Sequence, residues 1–358
     1  MNLARPLVAS ALALGALSAP GLASAQAQPP RPIIPGLPVP VFVPPNWPPP
    51  TVPAGPNPGA PGVPSTSPPP TPGSFDGQGN LTVGFLQAES SQILRELVAA
   101  LPNESRAKVD GIPLLFDNQT GEVNAFAGCE NGAAFMAITL PLMRAMGHIS
   151  EAKAADELFG SQRVSRYTRM VADSLNAQGP VPDPPPGFYS PAEAMDPRKL
   201  SRQRDVYDEM VGFVLGHELA HHYLGHTGCA NGTPSRGLDP ARLGRIVTTI
   251  VSPLNQFNET GSDTAGVENL LEMGARRQGR APVTEMGGVL TLEFFGSMEQ
   301  MGPASIALGI LRTHPHPRLR IPLIQSTAQR WRSGQGRGTS TQGGWPFPLP
   351  IPFPIPGR

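Results

Sequence analysis

The sequence predicts an α+β fold that is mainly helical and contains a small β-sheet. Apolar residues recur at helical spacing in several segments between residues 86 and 332. The stretch 112–128, IPLLFDNQTGEVNAFAG, has the pattern of a strand, a turn and a second strand. The stretch 201–225, SRQRDVYDEMVGFVLGHELAHHYLG, is predicted to form one long helix.

The elements follow one another in a simple order. The first predicted helix covers residues 86–102, and its recurring apolar residues are Leu86, Ile93, Leu94, Leu97 and Val98. After the two strands, residues 132–146 form a strand that runs into a helix, and residues 151–178 are helical again. Residues 179–197 are rich in proline and form a loop. Beyond the long helix, helices are predicted at 238–257 and 261–278, followed by segments 287–301, 303–312 and 313–332.

Proline and glycine concentrate at the two ends of the 358-residue chain and divide it into four parts. Residues 1–25 have the features of a secretory signal peptide, with a positive start, an apolar run and small residues before a cleavage site. The alternative, a membrane anchor, would need about 20 apolar residues. Residues 26–79 are a proline-rich linker expected to be disordered, residues 80–332 are the folded domain, and residues 333–358 are a Gly/Pro-rich tail.

These features predict a soluble exported protein, periplasmic or secreted, with no integral membrane segment after the signal peptide is removed. The chain has 27 basic and 27 acidic residues and therefore no formal net charge. This balance argues against electrostatic binding to nucleic acid or to anionic lipid as the main activity.

The helix 201–225 carries residues suited to binding a metal. His217 and His221 are four positions apart, so both project from one face and can reach the same zinc ion. Glu218 lies about 100° around the helix from His217, where it can reach a water on that metal but is poorly placed as a ligand. This HExxH arrangement supplies two ligands and a general base. The alternative is a polar helix whose histidines are merely satisfied by hydrogen bonds.

Two more histidines, His222 and His226, are also four positions apart and are predicted to point away from the first pair. A second zinc site there would need further ligands, and the sequence offers none. We expect both to be structural and to cap the helix C-terminus, which Gly225 and Gly228 mark.

A catalytic zinc site needs a third protein ligand and an open position. In FNETGSDTAGVENL, residues 257–270, Glu259 and Asp263 are four positions apart and share one face of a helix. Glu259 could bind zinc, and Asp263 could hydrogen-bond a ligand histidine and fix its tautomer. The alternative is an acidic pair on a solvated face.

Four motifs, in this order, resemble the gluzincin metallopeptidase family that includes HtpX, BepA, Oma and the CAAX prenyl endopeptidases. They are VNAFAGCENGAAFMAITLPLM, GHELAHHYLGH, ETGSDTAG and THPHPRLRI, within about residues 80–330. The resemblance implies a mainly helical, zincin-like domain with a small sheet beside the active-site helix. It also implies one zinc per chain, held by His217, His221 and Glu259.

The same resemblance implies roles for other residues. Glu218 would be the general base and Asp263 would support a ligand histidine. His314 and Arg320, in THPHPRLRI, would order the site or stabilise the oxyanion. A strand beside the cleft would hold the substrate as an added β-strand, and its predicted residues are Asn124, Ala125 and Phe126.

The chain departs from that family at several points. Gly261 and Ser262 stand where the family has better helix formers, and a glycine within a helix lowers its stability by up to ~1 kcal/mol. The membrane helices of HtpX and the prenyl endopeptidases are absent, as is the helical repeat domain of BepA. The closer likeness is therefore to the soluble periplasmic members.

The two cysteines, Cys129 and Cys229, can form a disulfide in an oxidising compartment. Such a bond would close a loop of ~100 residues and could add up to ~4.7 kcal/mol of stability in the chain-entropy model. The alternative is a pair of metal-binding thiols, for which the spacing is unsuited. We predict the disulfide.

The sequence as a whole predicts an exported zinc endopeptidase of the cell envelope that acts in protein quality control, with unfolded envelope proteins as candidate substrates. A competing hypothesis is a non-catalytic, zinc-containing binding or chaperone-like module, in which Glu218 would serve no purpose.

The Pro-rich ends are candidates for binding a partner. In the tail WPFPLPIPFPIP, proline at every second position from Pro346 to Pro356 would leave one edge able to pair with a sheet. The alternative is a disordered tail.

Overall fold

The computed structural model describes residues 73–118, 122–130, 132–229, 256–301 and 317–334. The predicted signal peptide, most of the predicted linker, residues 238–255, the segment 303–312 and nearly all of the tail lie outside these residues. None of the described helices combines the length and apolar character needed to cross a membrane. The elements in chain order are α1 (Val83–Ala100), α2 (Asn103–Val109), β1 (Leu114–Asp117), β2 (Ala125–Glu130), β3 (Ala133–Thr139), α3 (Leu140–Phe159), α4 (Arg163–Asn176), α5 (Pro191–Ala194), α6 (Pro197–Tyr223), α7 (Gln256–Arg276), α8 (Met286–Gln300) and α9 (Pro317–Arg332).

The described residues form the α+β fold that the sequence predicts, with one three-stranded sheet among helices. The strand order is β1-β3-β2, in which β3 pairs in parallel with β1 and antiparallel with β2. Within the described residues, β2 therefore lies at an edge of the sheet. One face of β3 packs Met136 and Ile138 into the core, while Phe135 on the other face meets the ring of Phe126 edge-on.

The region 151–178, predicted as one helical stretch, contains two helices. Helix α3 ends at Gly160, whose φ of 66° is left-handed and therefore suits glycine. The Asp156 carboxylate then accepts hydrogen bonds from the backbone N–H groups of Arg163 and Val164, which lie in the first turn of α4. Gly160 thus ends α3, and the Asp156 carboxylate binds the otherwise unpaired N–H groups at the start of α4, which separates the two helices.

The predicted loop 179–197 holds one short helix and the start of α6. Ser190 and Glu193 form a capping box around α5. The Asp196 carboxylate accepts the N–H of Arg198 at the start of α6, and Pro197 takes the first helical position. Proline fits there because the first N–H groups of a helix have no partner within it.

Helix α6 is the central element of the domain, and most of its 27 residues are buried. It packs against α1, α3, α7 and α8, and also contacts β2. Its apolar side chains join one core cluster, including Val211, Leu215 and Leu219. Fully burying a side chain of this size contributes about 1.5–3 kcal/mol. The predicted HExxH motif lies within this buried helix.

Two glycines set the distance between α6 and α7. A Cβ atom on Gly266 would lie 2.8 Å from the backbone nitrogen of His217, and one on Gly216 would lie 3.0 Å from the Gly266 carbonyl oxygen. Only glycine lets the two backbones approach this closely. The contact occurs beside His217, and therefore brings the motif of α6 against the acidic residues of α7.

Candidate metal centre

The structure brings His217, His221 and Glu259 together. Each offers one ligand atom, and these atoms all lie within 4.8 Å of one another. The two histidine Nε2 atoms are 3.1 Å apart, and the Glu259 carboxylate oxygens lie 3.4 Å from His217 Nε2 and 3.3 Å from His221 Nε2. All three side chains are buried. Within the described residues, this is the group of histidine and acidic side chains that could hold a metal ion.

Local structure explains this convergence. His217 and His221 share a face of α6 because they are four residues apart. Glu259 arrives from α7, which remains helical through Gly261 and Ser262 despite their low helix propensity. Packing between α6 and α7 at Gly216 and Gly266 outweighs a local cost of ~1 kcal/mol.

The donor set fits zinc. Two imidazole nitrogens and one carboxylate oxygen are the three protein ligands found in one class of catalytic zinc sites, in which the fourth position stays open. Both histidines present Nε2 to the common point, and neither Nδ1 atom faces it. The residues present therefore fit the ion.

Asp263 lies behind His217. Its Oδ1 is 2.9 Å from His217 Nδ1, so Nδ1 carries the proton and Nε2 is left as the metal-facing nitrogen. Arg320, from α9, donates to both Asp263 oxygens, at 2.8 and 2.6 Å. Burial alone would raise the pKa of Asp263, but Arg320 and His217 outweigh it and lower the pKa to about 2. Asp263 is thus a fixed anion in the interior.

Glu218 points toward β2. Its Oε2 accepts a hydrogen bond of 2.9 Å from the backbone N–H of Ala127. Burial raises the pKa of Glu218 to about 7, with a further contribution from the neighbouring Glu259. A base whose pKa is near the working pH is well matched to proton transfer.

The backbone of β2 alternates between the sheet and its open edge. The Asn124 carbonyl oxygen accepts a hydrogen bond of 2.9 Å from the Thr139 N–H, and the Asn124 N–H donates to Thr139 Oγ1 at 3.1 Å, so the Asn124 backbone faces β3. Because backbone groups alternate along a strand, Phe126 also faces β3, while Ala125 and Ala127 face the open edge. Of the three predicted substrate-strand residues, Ala125 is the one whose backbone groups point away from β3, and it is buried in this structure.

A disulfide joins Cys129 to Cys229, with Cα atoms 5.9 Å apart. It connects β2 to the chain that follows α6. The strand beside Glu218 is therefore covalently linked, across 100 positions of sequence, to the segment that follows the helix carrying Glu218.

The structure corrects the predicted direction of His226. We predicted that it would point away from the metal ligands; instead its Nδ1 lies 3.1 Å from His221 Nδ1. The reason is the helix end, where Gly225 adopts a φ of 82° and turns the chain back over the last turn. His222 does face elsewhere, because its Nε2 lies 3.0 Å from the Phe135 carbonyl oxygen. His314, a predicted site residue, lies outside the described residues.

Comparison with known proteins gives one family. The model of a family described as peptidase family M48 matches residues 87–328, which is more than half of the chain. The match contains α6, α7 and every residue of the ligand group. Neither a curated protein nor a solved structure matches significantly.

Proposed function

The chain belongs to peptidase family M48 and is therefore a metalloendopeptidase, and from this premise we propose that it is a zinc-dependent endopeptidase of the cell envelope in which Glu218 is the general base. One zinc ion per chain would be held by His217, His221 and Glu259. The observation that carries the proposal is the position of Glu218. Glu218 directly follows the proposed ligand His217 in sequence. Its carboxylate is buried and accepts a hydrogen bond from the edge strand β2.

When bound, zinc supplies a Lewis acid that lowers the pKa of a water molecule and polarises the scissile carbonyl group. The Oε1 atom of Glu218 removes a proton from the attacking water, and Glu218 then transfers this proton to the leaving amine nitrogen. The Ala127 N–H holds Oε2 and so fixes the direction in which the carboxylate faces. Asp263 and Arg320 keep His217 in one tautomer throughout.

The substrate would bind as an added strand along the open edge of β2. The backbone groups of Ala125 face that edge, and pairing through them reads the substrate backbone more than its side chains. An extended, unfolded segment satisfies this requirement, whereas a folded helix does not. This supports unfolded envelope proteins as substrates and a role in protein quality control.

Export to the periplasm or beyond is supported by the first 25 residues and by the disulfide, which persists in oxidising compartments. Determining the N-terminal residue of the protein recovered from the periplasm and from the medium tests this. We expect cleavage after residue 25. Recovery of the intact N-terminus from the cytoplasm would contradict export.

The test of the proposed function is Glu218→Gln, with Glu209→Gln as matched control. Both residues are buried glutamates of α6, and Glu209 accepts a hydrogen bond from Thr284 far from the ligands. We expect Glu218→Gln to bind one zinc like wild type and to lose cleavage of an unfolded protein by about 10²–10⁴-fold. Glu209→Gln should retain both properties.

Undiminished cleavage by Glu218→Gln would refute the assigned base. Zinc binding by wild type without any chelator-sensitive cleavage would instead favour the non-catalytic binding module. Measuring metal content and cleavage on the same samples separates these outcomes.

A further inference from the structure

Each ligand histidine has a polar partner behind it, and the two partners differ. His217 has the carboxylate of Asp263. His221 has His226, with the two Nδ1 atoms 3.1 Å apart. Since His221 directs Nε2 toward Glu259 and His217, a neutral His221 carries its proton on Nδ1. His226 Nδ1 must then be the acceptor, with the His226 proton on Nε2.

The backbone fixes His226 in this place. Its N–H donates to the carbonyl oxygen of His221 at 2.8 Å, and the Gly225 N–H donates to that of His222 at 2.9 Å. Gly225 is in the left-handed conformation, so these two bonds form a Schellman motif at the helix end. In this motif the residue after the glycine donates its N–H to the carbonyl oxygen of the third-last helical residue. That third residue is the ligand His221.

Helix α7 also contacts the imidazole of His226, at the same nitrogen that faces His221. The buried hydroxyl of Ser262 lies 3.2 Å from His226 Nδ1. Ser262 lies between Glu259 and Asp263 in the sequence. This part of α7 therefore supplies the proposed ligand Glu259, the partner Asp263 of His217, and the Ser262 contact to His226. His226 therefore has little freedom to leave His221.

We propose that His226 is a positioning residue whose Nδ1 accepts a hydrogen bond from the Nδ1–H of His221 and so keeps Nε2 of His221 directed at the metal. This inference rests on the proposed zinc site. His226 lies nine positions after His217, and the left-handed turn at Gly225 places it behind a ligand and not among the ligands. Outer partners of ligand histidines commonly contribute 10–100-fold to metal affinity.

The test is zinc affinity, measured by competition with a chelator, for His226→Ala, His226→Asn and Leu224→Ala. We expect His226→Ala to bind zinc 10–100-fold more weakly than wild type. His226→Asn should recover most of this loss because its Oδ1 can accept a hydrogen bond close to the position of Nδ1. Leu224→Ala, in the same turn and partly exposed, should match wild type.

A second readout is the tautomer of His221, from ¹⁵N shifts of its ring nitrogens in the zinc-loaded protein. The Nδ1 proton should be protected from exchange in wild type and in His226→Asn, and should exchange faster in His226→Ala. Equal zinc affinity of His226→Ala and wild type would overturn the inference, as would an equal loss in His226→Asn and His226→Ala. Failure of wild type to bind zinc would instead contradict the proposed function.

Discussion

Arg320 contacts the candidate metal centre mainly through Asp263, and its Nη2 also lies 3.3 Å from His217 Nδ1. It holds both carboxylate oxygens of Asp263, which in turn holds His217. Of the two roles that the resemblance implied for Arg320, ordering the site matches these contacts. Both charges are buried, so removing either partner would leave the other uncompensated at a cost of about 3–5 kcal/mol.

Arg320→Lys tests the geometry of this pair, since it keeps the charge but cannot donate two parallel hydrogen bonds from one planar group. We expect a fall in zinc affinity of about 10-fold or more, because Asp263 is then less firmly oriented against His217. Arg332→Lys, on the same helix, changes a more exposed pair with Glu285 and should have no effect. Chelator competition measures both, and equal affinities would contradict the ordering role.

At the scale of elements, the contact between α6 and α7 depends on glycine at particular positions. Helix α7 contains Gly261 and Gly266, five residues apart, with different surroundings. A Cβ on Gly261 would meet side-chain atoms of His226 and Leu224 at 3.8 Å, which is ordinary contact distance. A Cβ on Gly266 would meet the backbone of α6 at 2.8 Å. Replacing glycine by alanine should therefore change the free energy of unfolding in opposite directions at the two positions.

Gly261→Ala is expected to stabilise the protein by up to ~1 kcal/mol, because alanine restricts the unfolded chain and favours the helix. Gly266→Ala is expected to destabilise it by about 1–3 kcal/mol, because two backbones must separate. Separation beside His217 should also weaken zinc binding. Urea unfolding of both variants measures this, and a stabilising Gly266→Ala would contradict the predicted close approach.

The disulfide joins β2 to the segment that follows α6. Replacing Cys129 and Cys229 by serine should lower the free energy of unfolding by about 2–4 kcal/mol. It should also raise KM more than it lowers kcat, because the strand that would hold the substrate is then less firmly held. A reductant should reproduce both effects in wild type and have none in the double variant. Wild-type stability and kinetics that a reductant leaves unchanged would count against this.

At the scale of the whole molecule, stability should depend on pH through His148. Its Nε2 lies 3.0 Å from Asp183, which joins α3 to the connection between α4 and α5, and Glu151 is close by. Burial alone would lower the pKa of His148, but Asp183 and Glu151 outweigh it and raise the pKa above 6.5. The stabilisation is therefore complete below pH 6.5 and is lost as the pH rises through the higher, folded-state pKa.

The measurement is the difference in unfolding free energy between wild type and His148→Asn, at pH 6 and at pH 9. This difference should shrink at pH 9. His217 is common to both proteins, so its own titration cancels. A difference that does not change with pH would show that the Asp183 contact contributes no pH-dependent stability.

Sequence reasoning reached the parts of the fold that depend on local spacing. The long helix with His217 and His221, the sheet strands and the acidic pair on α7 follow from periods of 3.6 and 2 residues. The position of His226 was missed because it depends on a left-handed residue, Gly225, which reverses the direction expected from helical spacing. The contact of Gly216 with Gly266 depends on how two distant helices cross, which neither segment encodes alone.

The bond between Arg320 and Asp263 has a consequence for the order of synthesis. The proposed ligand Glu259 is made 61 residues before Arg320 (320 − 259), an interval of about 3–12 s at usual elongation rates. During that interval the growing chain contains all three proposed ligands but lacks the group that holds Asp263 against His217. We expect an unfinished chain to be a poor protease, because α9, the last helix among the described residues, supplies Arg320.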